Sequence, residues 1–163
     1  MKLPISWLRE YVDFDDTPQG LADKLTFSGT EVAGIETVGS AFTGIVVGEI
    51  LKVERHPNAD KLTLCTVATG AGELTVVCGA PNAAPGLKVP FAPAGVTLPN
   101  GLKLKAAKIR GVESHGMLCA EDELGLSDDH TGLMIFDAAW AAGTPLAEVL
   151  GPPETVLELE VTP

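Results

Sequence analysis

This 163-residue sequence has few aromatic rings (two Trp, one Tyr and five Phe), and after Arg110 it contains no Lys or Arg at all. No apolar run approaches the ~18 residues of a membrane span, and Met1-Lys2-Leu3-Pro4 does not begin a signal peptide, so a cytosolic protein is expected. Cys65, Cys78 and Cys119 stand far apart with no Cys-x-x-Cys pair. An odd count without metal spacing argues against a disulfide framework or a zinc site and for reduced, buried thiols. The glycines at Gly70-Ala71-Gly72 lack the lysine and following helix of a nucleotide cradle, so ATP chemistry is not expected here. There is no internal repeat and no low-complexity tract.

What is present is a soluble composition, 45% hydrophobic and 20% charged, in a chain long enough for one or two domains. The net charge of −11 is unevenly placed. Residues 1–39 carry −4, residues 40–110 carry +4, and residues 111–163 carry −11. A local basic patch can attract phosphate even on an acidic chain. Lysines that only solubilise strand edges are the competing explanation.

The basic segment is organised around His56-Pro57-Asn58-Ala59-Asp60-Lys61-Leu62, a polar turn between two alternating runs. Before it, Gly44 to Glu54 reads as a strand with Ile45, Val47, Leu51 and Val53 on one face; after it, Leu62 to Ala68 alternates again. Further strands are expected over Leu74–Cys78, Leu87–Ala92, Val96–Leu98, Leu102–Leu104, Lys108–Arg110 and Gly132–Phe136, with a short helix over Glu121–Leu126. Many short strands with Gly and Pro turns indicate a small closed barrel.

The chain ends read differently. Ser6 is a candidate cap for a short helix through Trp7, Leu8 and Tyr11. Thr17-Pro18 supplies a cap and a first-turn proline for a second helix, with Leu21 and Leu25 on one face and Gly29 as its stop. Glu31–Val38 follows as a strand. After Gly151-Pro152-Pro153, Thr155–Val161 alternates as a last strand, which we expect to pair beside Glu31–Val38. The expected fold is therefore mainly β: a barrel over 40–151 inserted in a small α+β domain made of 1–39 and 152–163. The stop directly after a strand reads as a fragment of a longer chain.

His56, His115 and His130 lack metal-ligand spacing, and His56 beside Pro57 is expected to shape the turn. Ser114 and His115 are adjacent on an extended segment and so point to opposite faces, which argues against a nucleophile and base pair. RNA binding needs phosphate donors, polar groups for base edges and surfaces for stacking. Lys61, Lys88, Lys103, Lys105, Lys108 and Arg110 offer the first, and Asn58, Asn82 and Ser114 the second. Only Phe91 and Met117 are candidates for the third, which favours recognition of RNA shape and backbone; Met117 is equally a core residue.

The His56–Leu62 turn, Val77-Cys78-Gly79-Ala80-Pro81-Asn82, the Lys103–Arg110 lysines and Gly111-Val112-Glu113-Ser114-His115-Gly116-Met117-Leu118-Cys119 together resemble the tRNA-binding OB-fold. That fold occurs in methionyl-tRNA synthetases, stand-alone tRNA-binding chaperones and bacterial phenylalanyl-tRNA synthetase β subunits. Leu3-Pro4-Ile5-Ser6-Trp7-Leu8-Arg9-Glu10-Tyr11-Val12-Asp13, Glu123-Leu124-Gly125-Leu126 and Leu159-Glu160-Val161-Thr162-Pro163 look like the β-subunit branch. This resemblance implies an N-terminal fragment of a β subunit that joins a catalytic α subunit in an α2β2 enzyme, using ATP and magnesium to attach phenylalanine to its tRNA. It implies no catalytic, editing, cofactor or metal site in the fragment itself, and tRNA, not DNA, as the nucleic acid. The binding surface it implies includes Asn58, Lys61, Ser114 and Met117. An architectural module with little RNA affinity and a free-standing tRNA chaperone are the alternatives.

Overall fold

The computed structural model describes residues 1–161; Thr162 and Pro163, which close the expected return-strand segment and the last family motif, lie outside the described residues. In chain order the elements are β1 (Lys2–Pro4), α1 (Ile5–Arg9), α2 (Pro18–Phe27), β2 (Glu31–Val38), β3 (Val46–Arg55), β4 (Thr63–Ala68), β5 (Glu73–Cys78), β6 (Lys88–Pro93), β7 (Ala107–Ile109), β8 (Val112–Ser114), β9 (Gly116–Leu118), α3 (Leu146–Leu150) and β10 (Glu154–Glu160). They form two compact units, Met1–Gly39 with the segment from Pro152 on, and Ser40–Gly151. No described helix is long and apolar enough to cross a membrane.

In the first unit β10 lies between β1 and β2, antiparallel to both. The expected pairing of the last strand with Glu31–Val38 is observed from Glu154↔Val38 to Glu160↔Glu31. The Thr17 hydroxyl accepts from the Gly20 N–H, Pro18 opens α2, and Gly29 follows its end at φ +101°. Ile5, Leu21, Ala22, Leu157 and Leu159 form this unit's core. Ser6 is not a cap. Pro4 precedes the first turn of α1, and Ser6 lies inside the helix with its backbone N–H donated to the Glu154 carboxylate.

The second unit is a five-stranded antiparallel sheet in the order β5-β4-β3-β6-β9, curled to near closure as an OB-fold barrel. Ile50, Cys65, Val67, Val76, Val89 and Phe91 fill it. The expected apolar face of β3 is corrected by a bulge. Ile50 pairs with Val67 and Lys52 with Thr66, which leaves Leu51 as an extra, exposed residue. The barrel therefore takes Val46, Ile50 and Val53, while Ile45 packs in a second core with Phe42, Leu98, Leu124 and Leu146. Gly48 sits where β3 passes closest to the filling: a Cβ there would lie 2.7 Å from Val67 and 2.9 Å from Phe91.

Two expected elements are not formed. Over Glu121–Leu126 the Leu124 and Gly125 N–H groups bond carbonyls three residues back, and the Glu123 carboxylate takes the Ala120 N–H, so the segment is a pair of turns and not a helix. Gly132–Phe136 is tied by Met134 N–H to Cys119 O and Phe136 N–H to Lys88 O, without a ladder. The Val96–Leu104 hairpin forms around Pro99-Asn100-Gly101 with a single bridge, Thr97↔Lys103.

Candidate nucleic-acid interface

Between β3 and β4 the chain turns through His56–Leu62, and its geometry follows from the histidine. The His56 ring is buried, its Nδ1 accepts the Asn58 N–H at 3.1 Å, and its backbone N–H donates to Leu62 O at 3.1 Å. With Nδ1 an acceptor, the ring proton belongs on Nε2, which donates to Ile109 O at 3.0 Å. The expected turn-shaping role of His56 is thus observed, and it reaches beyond its own loop.

Ile109 ends β7, and Val112 begins β8 opposite it. The two residues between, Arg110 (φ +48°) and Gly111 (φ +96°), both have positive φ, as a two-residue type I′ hairpin requires. Arg110 O accepts the Asn58 side-chain amide at 2.9 Å, and a Cβ on Gly111 would come within 3.3 Å of that same Nδ2. The turn and the hairpin are therefore one assembly. Asn58, Asp60, Lys61, Leu62 and Arg110 line an open cleft of about 490 Å³ between them.

The cations of the turn, of the β7–β8 hairpin and of the segment leading into that hairpin are exposed. Lys61, Lys103, Lys105, Lys108 and Arg110 all face solvent, and none forms an ion pair among the described residues. Exposed, unneutralised Lys and Arg are the groups that displace counterions from a phosphate backbone. No Phe or Trp ring of this unit is exposed among the described residues, since Phe42 and Phe91 are buried and Phe136 and Trp140 half-buried; the exposed ring is the His130 imidazole. Phe91 therefore cannot stack on a base, and Met117 packs against the second core.

Three of the expected contact residues are engaged inside the fold. Lys88 is largely buried in an ion pair with Glu49. The Asn82 amide brackets Leu133, with Nδ2 donating to its carbonyl at 3.0 Å and Oδ1 accepting its N–H at 2.8 Å. Ser114 is buried; its hydroxyl accepts the Val77 N–H at 3.1 Å and donates to Gly116 O at 2.9 Å. Together with His115 N–H to Thr75 O, at 3.1 Å, that hydroxyl closes the barrel across β5. The polar atoms of these three side chains face protein partners.

The three cysteines are free and buried. Burial pushes the Cys119 thiol up to about 12, with neighbouring Glu123 adding to the shift. The Cys78 thiol is raised first by its hydrogen bond with Cys65 and then by burial.

Comparison with known proteins bears on this surface. The model of a family described as "Putative tRNA binding domain" matches residues 45–145. The chain belongs to the tRNA-binding domain family. Over all 163 residues it is 47% identical to the phenylalanine–tRNA ligase beta subunit of Syntrophus aciditrophicus (strain SB), of which it covers 20%. It is 48% identical over 164 positions to that of Bordetella parapertussis, covering all of this chain and 20% of the relative. The chain thus spans about a fifth of the length of these relatives, and it is their N-terminal region that it matches. A solved structure, the MetRS related protein from Pyrococcus horikoshii, is 26% identical over 61% of this chain and 85% of that one, with a TM-score of 0.46.

Within the tRNA-binding domain, the matched stretch starts at Ile45 on the edge of β3 and ends at Pro145, which bridges to Val46. It contains every one of the ten expected contact residues, seven of them with side chains other than the internally engaged Lys88, Asn82 and Ser114. His56 is the site residue that residue-type reasoning underrated. The His-Pro pair bordering a polar turn was the available signal.

Proposed function

We propose that the barrel unit binds or positions tRNA through the exposed face formed by the His56–Leu62 turn and the β7–β8 hairpin. Lys61, Lys103, Lys105, Lys108 and Arg110 supply contacts to phosphate, and Asn58 borders the same cleft. The observation that carries this reading is that Lys61 and Arg110 line one cleft and Lys108 lies in the hairpin that borders it, all three exposed and without an ion pair among the described residues, in a chain whose net charge is −11. The lack of an exposed Phe or Trp ring on the described residues of this unit points to backbone and shape recognition, which is how folded RNA is commonly engaged.

In this reading the chain is the N-terminal part of a phenylalanine–tRNA ligase β subunit working in the cytoplasm. Its partners are the phenylalanine-specific tRNA, the rest of the β subunit and the α subunit of an α2β2 enzyme. ATP and magnesium serve the aminoacylation carried out by the α subunit, and this chain contributes no catalytic group. Fluorescence anisotropy of the chain with phenylalanine tRNA across a salt series, with duplex DNA as control, tests the reading. Selective binding that falls steeply with salt supports it; no binding at low salt defeats it.

A second reading is favoured by the Lys88–Glu49 pair and the internal use of Asn82 and Ser114: an architectural module that packs against the rest of the enzyme. Such packing would show little dependence on salt.

A further inference from the structure

Arg110 is the one cation of the candidate face whose backbone is held in the left-handed region, at φ +48°. A residue with a Cβ avoids that conformation unless its surroundings impose it. Here two carbonyls of the turn are held by side chains from more than fifty positions earlier in the chain. His56 Nε2–H donates to Ile109 O at 3.0 Å and Asn58 Nδ2 donates to Arg110 O at 2.9 Å. The donors are themselves tied together, because the His56 ring accepts the Asn58 N–H at 3.1 Å. Ring burial excludes His56 from touching a ligand, and the Asn58 donor points at the hairpin.

We propose that His56 and Asn58 are positioning residues that fix Arg110 against the cleft it shares with Lys61, so that a phosphate of the RNA backbone is gripped between the two cations. The inference rests on the RNA-binding reading above and gives these two residues a role within it. Asn58 is neutral and releases no counterion, so its own contact with RNA would leave the salt dependence unchanged. If it acts through Arg110, replacing it removes a phosphate contact that belongs to another side chain.

The experiment is tRNA anisotropy over a salt series on the whole chain, for the unaltered protein, Asn58→Ala, Arg110→Ala and the double variant. By the usual worth of a phosphate contact, Asn58→Ala weakens binding about fivefold and Arg110→Ala about tenfold, each lowering the slope of log affinity against log salt by roughly 0.7–0.9. The double variant matches Arg110→Ala alone, about tenfold and not about fiftyfold, because the two residues act as a unit. His56→Gln, which keeps a donor near the Nε2 position, binds more tightly than His56→Ala. Amide hydrogen exchange over residues 107–114 rises in Asn58→Ala while the β4 amides stay protected. Additive losses, or an unchanged salt slope in Asn58→Ala, would overturn the inference and leave the RNA reading intact. Salt-independent or absent binding by the unaltered chain overturns the reading, and the inference with it.

Discussion

The barrel unit contains two regions held in different ways. From Val46 to Phe91, β3, β4, β5 and β6 are joined by ladders, interrupted between β3 and β4 by the Leu51 bulge, and their inward residues are apolar. From Leu102 to Leu133 the backbone is mostly irregular, and single side chains pin it: Asn58 and His56 on the hairpin, Ser114 on β5, Asn82 on Leu133. A ladder shares its hold among many backbone bonds. A pinned segment concentrates it in a few polar atoms, and removing one costs most where the partner left behind is shielded from water. The second arrangement also carries most of the exposed cations, so the proposed interface rests on the region with fewer independent supports.

That contrast can be pressed hardest in the laddered region. Phe91 is almost fully buried between the ladders, and Phe91→Ala should cost about 3–5 kcal/mol, read from urea denaturation. A loss below that of a surface control would show that the pinned region, not the sheet, dominates stability. Next, Ser114→Ala leaves the Val77 N–H and Gly116 O unpartnered and should cost about 1–3 kcal/mol by the same denaturation. A neutral result there would mean that the barrel seam closes without the hydroxyl.

The interface prediction separates exposed from engaged lysines. Replacing Lys61, Lys105 and Lys108 together by Ala should weaken tRNA binding by on the order of tenfold or more, with a markedly shallower salt slope. Stability should move by less than about 0.5 kcal/mol, because these side chains make no ion pair among the described residues. Lys88→Ala should leave the salt slope unchanged, since its partner is Glu49. Equal slopes for both variants would remove the hairpin face from the account.

The smallest expected effect lies at Glu123, whose carboxyl is raised above the ordinary range by burial. The folded state then holds a proton that the unfolded chain has already lost just above the usual carboxylate pKa, so stability falls as pH rises through that window. Glu123→Gln should therefore be slightly stabilising at pH 7, by a few tenths of a kcal/mol given solvent screening, and indistinguishable from the unaltered chain at pH 3. Urea midpoints at the two pH values check this, and a destabilised Gln variant at pH 7 would show that the ionised carboxylate is needed by the Ala120 N–H.

Much of the laddered region, and of the unit formed by the chain ends, was legible in the amino-acid order. The alternation through Leu62–Ala68 and Leu74–Cys78, the Thr17-Pro18 start of α2 and the pairing of the last strand with Glu31–Val38 all rest on neighbours or on simple periodicity. The pinned region was not, because its partners lie far along the chain. Ser114 bonds Val77 across 37 positions, Asn82 bonds Leu133 across 51, and Asn58 bonds Arg110 across 52. A polar residue bound to a distant backbone group looks, in sequence, like one available to a ligand. The Lys88–Glu49 pair was hidden for the same reason, since the register that brings the two opposite each other belongs to the sheet and not to either strand alone. The Leu51 bulge broke the alternation of β3 at a position where every residue type fits an ordinary strand.

That bulge has a bearing on where the interface points. A strand has a two-residue parity, and β3 changes parity once, between Ile50 and Lys52, before it delivers its last residues to the loop. Removing Leu51 would restore an unbroken alternation and simultaneously exchange the sides faced by Val53, Glu54 and Arg55. His56 would arrive at the top of the barrel half a period out of phase, turned away from the Ile109 carbonyl. One unpaired residue, set within β3 before the turn begins, thus acts as a spatial reading frame for the loop that follows it.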